Sequence, residues 1–253
     1  MVRPLPTLRA VIFDLWGTLV TDTPELSGER ERARLAGLAR ALAAGGLSYG
    51  PAEVERAYRQ AAEESQRLQA AGRDLASPER AVLLLRQLDR ELAARATPEL
   101  LAALERSPIE AARRFPPLLI PGAVETLKAV RQAGRFTGLI ANTGATPGPA
   151  LRPVLAGHGL LALLDVATFS DEAGECKPAP GVFRRTLSAL GVEPAEAVFV
   201  GDTPELDVVG PQQVGMWTVQ VGELVRDGVR PHARILALSE LPVALRSLGF
   251  TAS

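Results

Sequence analysis

The strongest constraint on the fold is a series of short apolar runs, each closed by a polar residue and separated from the next by helical text. The first is LRAVIFD, Leu8 to Asp14. It is too short for a helix and too apolar for a sheet edge, so it reads as a strand buried on both faces, as in a parallel sheet. Beyond Phe115 the sequence alternates: a helix in PGAVETLKAVRQAG, a strand in FTGLIAN, helical text near Leu151, a strand in DVATFS, a helix in GVFRRTLSALG, a strand in AVFVGD and a last strand in MWTVQV. Strand and helix in turn with short connections predict an α/β fold, a Rossmann-like doubly wound parallel sheet.

Between the first strand and the rest the text is different. From about Thr23 to Phe115 alanine, leucine, arginine and glutamate recur at helical spacing, with Leu35, Leu38 and Leu42 on one stripe and Leu85, Leu88 and Leu92 on another. Thr23-Pro24-Glu25, Ser77-Pro78-Glu79 and Thr97-Pro98-Glu99 each read as a capping residue, a proline at the first helical position and an acid in the first turn. The expected division is a core of residues 1–20 and 116–253, with an all-helical cap of residues 21–115 inserted after the first strand. The insertion leaves the sheet at the carboxyl end of that strand, where open α/β sheets bind ligands. Its arginines are expected to face solvent; for Arg30, Arg34 and Arg40 the alternative is to face the crevice, and solvent is the preferred reading.

Composition excludes several functions. The 253 residues carry a net charge of −1, so there is no basic surplus for a nucleic-acid backbone or an anionic membrane surface. No apolar run reaches the roughly 18 residues of a spanning helix. The chain start, MVRPLPTLRAVIFDL, has an acid inside its apolar run and no small-residue cleavage site after it. The lone Cys176 rules out an internal disulfide framework. A cytoplasmic protein acting on a small molecule is the expectation.

The polar residues that end the apolar runs are Asp14, Asn142, Ser170 with Asp171, and Asp202. In a parallel sheet these ends share one rim, so side chains far apart in sequence converge on one crevice. Lysine adds a second signal. Of 28 basic residues only Lys128 and Lys177 are lysines, so a lysine beside this rim is unusual for the chain.

FDLWGTL, IAN, CKP and GDTPELD, in that order, resemble the four motifs of the haloacid dehalogenase-like superfamily of hydrolases. The resemblance covers nearly the whole chain, and a helical cap after the first motif marks one branch of that family. It implies that Asp14 is a nucleophile forming a covalent ester, and that Lys177 stabilises the charge of Asp14 and of the group transferred. Gly17 would permit a tight reversal, and the Thr18 hydroxyl would hydrogen-bond around the nucleophile. It also implies a Mg²⁺ ion held by Asp14, Asp202 and the main-chain carbonyl of Trp16, with Asp207 behind them, since magnesium prefers hard oxygen ligands. Within GDTPELD, Thr203 and Pro204 are expected to start a helix and Glu205 to sit in its first turn.

Two positions depart from the family's phosphatases. Trp16 stands where those enzymes keep an aspartate that protonates the leaving group, and an indole cannot do this. Ala141 replaces a serine or threonine that binds the transferring phosphoryl group, leaving Asn142 and Thr143 as nearby substitutes for binding substrate. The expected activity is Mg²⁺-dependent hydrolysis of a small phosphate monoester, or of an acyl or aryl phosphate, through an aspartyl-phosphate. The alternatives are carbon–halogen hydrolysis of a 2-haloacid, whose enzymes also have an aromatic residue two places after the nucleophile, and a catalytically impaired binding protein on the same fold.

Overall fold

The computed structural model describes residues 7–250. Residues 1–6 and 251–253, both assigned above to the core, lie outside the described residues. The main sheet has six strands, β1 (Ala10–Phe13), β4 (Phe136–Ala141), β5 (Val166–Phe169), β6 (Ala197–Gly201), β7 (Trp217–Val221) and β8 (Ala233–Ile235). Their order across the sheet is β5-β4-β1-β6-β7-β8, and every pairing is parallel. β1 is central, and chain progression runs outward from it in both directions. The crevice beyond its carboxyl end is therefore the topological switch point of the sheet.

Burial on both faces explains why β1 is uninterruptedly apolar. Val11 and Phe13 join one apolar cluster and Ala10 and Ile12 another, all fully buried. The helices between the strands cover these faces: α6 (Ala123–Gln132), α7 (Gly148–Gly157), α8 (Ser170–Ala173), α9 (Pro180–Leu190), α10 (Gly210–Gln213) and α11 (Leu241–Ser247).

Residues 24–114 form five helices, α1 (Pro24–Ala44), α2 (Pro51–Ala70), α3 (Ser77–Leu88), α4 (Arg90–Ala94) and α5 (Pro98–Arg114), and contribute nothing to the main sheet. Leu38, Leu42, Val54, Leu84, Leu85 and Leu104 give them an apolar centre of their own. α1 and α5 pack closely because Gly37 lacks a side chain: a Cβ there would overlap Ser107, whose Oγ donates to Arg34 O at 2.7 Å.

Three sequence expectations change. MWTVQV is not the last strand, because β8 follows it; its core, Ala-Arg-Ile, is too short to be read as a strand from pattern. A two-residue antiparallel ribbon, β2 (Val20–Thr21) with β3 (Leu118–Leu119), ties together the two chain passages between the sheet and the five helices. The third change concerns the caps. Thr23 and Thr97 accept from the amides of Leu26 and Leu100, as expected, but Ser77 lies inside its helix with an unpartnered hydroxyl. Glu79 instead reaches back to the Ala76 amide at 2.8 Å and satisfies that end of α3.

Candidate active site

The carboxylates of Asp14, Asp202 and Asp207 converge on one point, with one ligand oxygen from each lying within 4.8 Å of the others. Asp14 follows β1, and its amide donates to Val200 O at 2.8 Å, which fixes it beside the end of β6. Asp202 directly follows β6. Asp207 sits in the wide helical turn Pro204–Val209, where its Oδ2 accepts the Thr203 amide at 2.9 Å. Thr203 does start that turn, but its hydroxyl points to Asp202 Oδ1, at 3.2 Å, and caps nothing. Exposed Glu205 pairs with Arg226 at the surface.

Lys177 binds the cluster together. Its Nζ donates to Asp14 Oδ1 at 2.5 Å and to Asp207 Oδ1 at 2.7 Å, and the whole residue is 2% exposed. Burial alone would lower its pKa. The charges of Asp14 and Asp207 outweigh that, leave it above its ordinary value and keep it protonated. Asp14 is 6% exposed; burial lifts its carboxyl to about 7 against the lowering influence of Lys177. Asp202 is also raised, first by burial and then by the charge of Asp207.

Gly17 is required here twice over. Its φ of 77° is in the left-handed region, and a Cβ would overlap the Asp202 carboxylate. The adjacent Thr18 is fully buried with no hydrogen-bond partner for its hydroxyl, so it bonds to no part of the nucleophile.

Asn142 and Thr143, expected at the substrate, are engaged elsewhere. The Asn142 amide clamps the Lys177 peptide from both ends, donating to its carbonyl and accepting from its N–H, each at 2.9 Å. It therefore positions the lysine. Thr143 donates its amide to Ser170 Oγ at 2.9 Å, and its own hydroxyl lies within reach of Ser170 and Arg80. Both residues still line a crevice that Trp16, two places after Asp14, shares with Arg30, Arg34, Tyr58 and the acids Asp22, Glu31 and Glu63; its volume is about 580 Å³. Trp16 is half-buried, packs on the sheet's apolar cluster and lies under the Arg30 guanidinium, 5.9 Å from its ring centroid. Ala141 is fully buried.

Two of the three arginines expected in solvent are buried, Arg30 at 4% exposed and Arg34 at 7%, whereas Arg40 is exposed. Arg30 makes a bidentate pair with Asp22, at 2.6 and 2.7 Å, and donates through Nε to Phe115 O at 2.8 Å. It thus joins the entry and the exit of the helical block. Helical periodicity places an arginine on a face but does not say what covers that face.

Sequence reasoning also missed a polar contact between the helical block and the sheet. Asp74, in the loop between α2 and α3, pairs with Arg80 and accepts from Ser170 Oγ at 2.5 Å, while Arg80 donates to Gly144 O. The same loop accepts the Cys176 amide through Gly72 O at 3.0 Å, next to Lys177. Cys176 is buried and its thiol is pushed up to about 11, chiefly by burial, so it is no nucleophile at neutral pH.

The sequence pattern described as haloacid dehalogenase-like hydrolase matches residues 8–215. The chain belongs to this hydrolase family. Membership places it among enzymes, on a fold that the solved relatives share. A HAD phosphatase from Thermococcus onnurineus is 26% identical with a TM-score of 0.58, covering 97% of this chain and all of that one. A 2-haloacid dehalogenase from Pseudomonas syringae superposes with a TM-score of 0.70 over 95% of this chain and 99% of its own, at 24% identity, a likeness of fold alone. Among curated relatives, a phosphoserine phosphatase from Thermus thermophilus is 38% identical over 120 residues, 47% of this chain and 45% of its own. A glyceraldehyde 3-phosphate phosphatase from Pyrococcus furiosus is 33% identical over 105 residues, 40% of each chain. The chain spans about half or less of the length of these curated relatives.

Proposed function

We propose that this family member hydrolyses a small phosphate monoester, or an acyl or aryl phosphate, with Asp14 as the nucleophile. The observation that carries the reading is the Lys177 ammonium bridging Asp14 and Asp207 beside Asp202. One Asp14 oxygen is held by Lys177 and the other is left to attack phosphorus. The P–O bond to the leaving group breaks as the aspartyl-phosphate forms, and water then releases inorganic phosphate and restores the carboxylate. Lys177 neutralises charge at a fixed position throughout. The names of the phosphatase relatives favour the phosphoryl substrate. Residues 21–115 act in this proposal as a cap over a core of residues 1–20 and 116–253.

A divalent cation fits the donor set. Three carboxylates face one ammonium, which leaves an excess of negative charge and hard oxygen donors. Both Asp207 oxygens are already engaged, by Lys177 and the Thr203 amide, so Asp14 and Asp202 are the side chains that would hold Mg²⁺, with the Trp16 carbonyl as the main-chain donor. Bound there, the cation would offset charge on the phosphoryl oxygens and favour ionised Asp14.

Trp16 supplies no proton to a leaving group, which favours substrates whose leaving groups depart as stable anions. The same residue favours a second reading, displacement of halide from a 2-haloacid. The carboxylate cluster favours the phosphoryl reading over that one, since its hard oxygen donors suit a divalent cation, which offsets phosphoryl charge and which departure of halide does not need. Among the described residues no helix is long and apolar enough to cross a membrane. A small phosphorylated metabolite, not nucleic acid or membrane, is the proposed partner, and the cytoplasm the proposed setting. The deciding assay is aryl phosphate hydrolysis with and without Mg²⁺, alongside halide release. Turnover should need the metal and vanish in Asp14→Asn; equal turnover by that variant in chelator would refute the proposal.

A further inference from the structure

Arg34 is buried without an anion. Its Nη1 donates to Tyr58 Oη at 2.7 Å and its guanidinium lies 5.8 Å from the Tyr58 ring centroid, but its Nε is buried with no partner. Among the described residues no carboxylate forms an ion pair with it. The contrast with Arg30, four residues earlier on the same helix and fully paired, is internal to the structure. Burying a guanidinium without a counter-charge is costly, and a ligand that brings the anion removes that cost.

The location of Arg34 says which ligand. It lines the crevice that Trp16 and Asn142 border, and also a second, more enclosed pocket of about 200 Å³, with Tyr58, Ala62 and Gln66 likewise common to both. The enclosed pocket is walled largely by apolar side chains, including Leu38, Ala81, Leu84 and Leu104. An apolar cavity of about 150 Å³ already accepts a benzene ring. Glu105 lines this pocket and Glu31 and Glu63 line the crevice, so an anion is favoured only at the junction, beside Arg34, and in neither space beyond it.

We infer that the leaving group of the substrate carries a carboxylate near the reacting end, read by Arg34 at the junction, and an apolar body of about ring size that fills the pocket beyond. The inference rests on Asp14 being the reacting group, but its test needs no turnover. A charge-assisted guanidinium–carboxylate hydrogen bond is stronger than a neutral one, and a buried cation left unpaired discriminates against ligands that bring no anion.

The experiment is calorimetric binding of three probes to the wild-type protein: 3-phenylpropanoate, 3-phenylpropanamide and propanoate. The acid with the ring should bind at least about tenfold tighter than either the uncharged amide or the ringless acid. Arg34→Gln should bring acid and amide to equal affinity, and Ala62→Phe, at the passage between the two spaces, should weaken 3-phenylpropanoate. Equal wild-type binding of acid and amide, equal binding with and without the ring, or no binding of 3-phenylpropanoate at millimolar concentration overturns the inference, whether or not the variants fold. Failure of phosphate hydrolysis with the binding preference intact would sink only the proposed reaction. Hydrolysis without the preference would sink only this inference.

Discussion

Replacing Lys177 with methionine isolates the electrostatic arrangement on which the site depends. The ammonium is the only cation paired with Asp14 and Asp207 among the described residues, and its side chain is 1% exposed. Methionine fills a similar volume but leaves the carboxylates with nothing opposite them. Breaking a buried ion pair from one side costs about 3–5 kcal/mol. In a chain of this size each kcal/mol moves the melting temperature by about 2–4 °C, so a fall of roughly 6–20 °C is expected in chelator at pH 8. The loss also has a predicted pH dependence. Asp14 and Asp202 already have raised pKa values, and losing the lysine charge raises them further. A carboxyl with a raised folded-state pKa binds more protons folded than unfolded, so stability falls as pH rises from the ordinary value of 3.8 through about 7. The gap between wild type and Lys177→Met should therefore be small near pH 5 and wider at pH 8, above the wild-type value of about 7, and Mg²⁺ should narrow it at pH 8. Thermal melting at both pH values, with and without Mg²⁺, tests this. A gap that is the same at pH 5 and pH 8, or a variant melting with the wild type at pH 8, would refute the reasoning.

Three other outcomes follow from the geometry. Trp16→Asp puts a proton donor beside the leaving group and should raise alkyl phosphate turnover relative to aryl by at least about a hundredfold, the low side of the usual general-acid effect; an unchanged ratio means that Trp16 does not limit the reaction. Because Asp14 titrates near 7 without metal, the apparent Mg²⁺ affinity should rise about tenfold per pH unit below that point and level off above it, and a calorimetric titration showing no such trend contradicts Asp14 as a ligand. Asp74→Ala strands half-buried Arg80 and frees Ser170, so it should destabilise by about 2–3 kcal/mol in urea, below the cost of a fully buried pair, whereas Glu91→Ala, which removes an exposed pair with Arg95, should have little effect. Similar losses in the two would show that the Asp74 contact is not acting as a buried pair.

The sequence by itself determined the alternation of the first five sheet strands with helices, the helical stretch after the first strand and most of the carboxylate cluster. These follow from local periodicity, and from the rule that parallel strands bring their carboxyl ends to one rim. Asp14, Asp202 and Lys177 were legible because each interrupts an apolar pattern or a strong preference for arginine, and Asp207 because GDTPELD resembles a known motif. Only the tertiary structure decided what covers each polar side chain. Arg30 and Arg34 look alike on α1, yet one is fully paired across the two chain passages and the other is buried with a free Nε. Asn142 and Thr143 looked like substrate ligands, but the first clamps the Lys177 peptide and the second joins the contact that Asp74 makes across to Ser170. The physical reason is range. Periodicity and capping act within a few residues along the chain, whereas a hydrogen bond or an ion pair depends on which distant segment packs against that face.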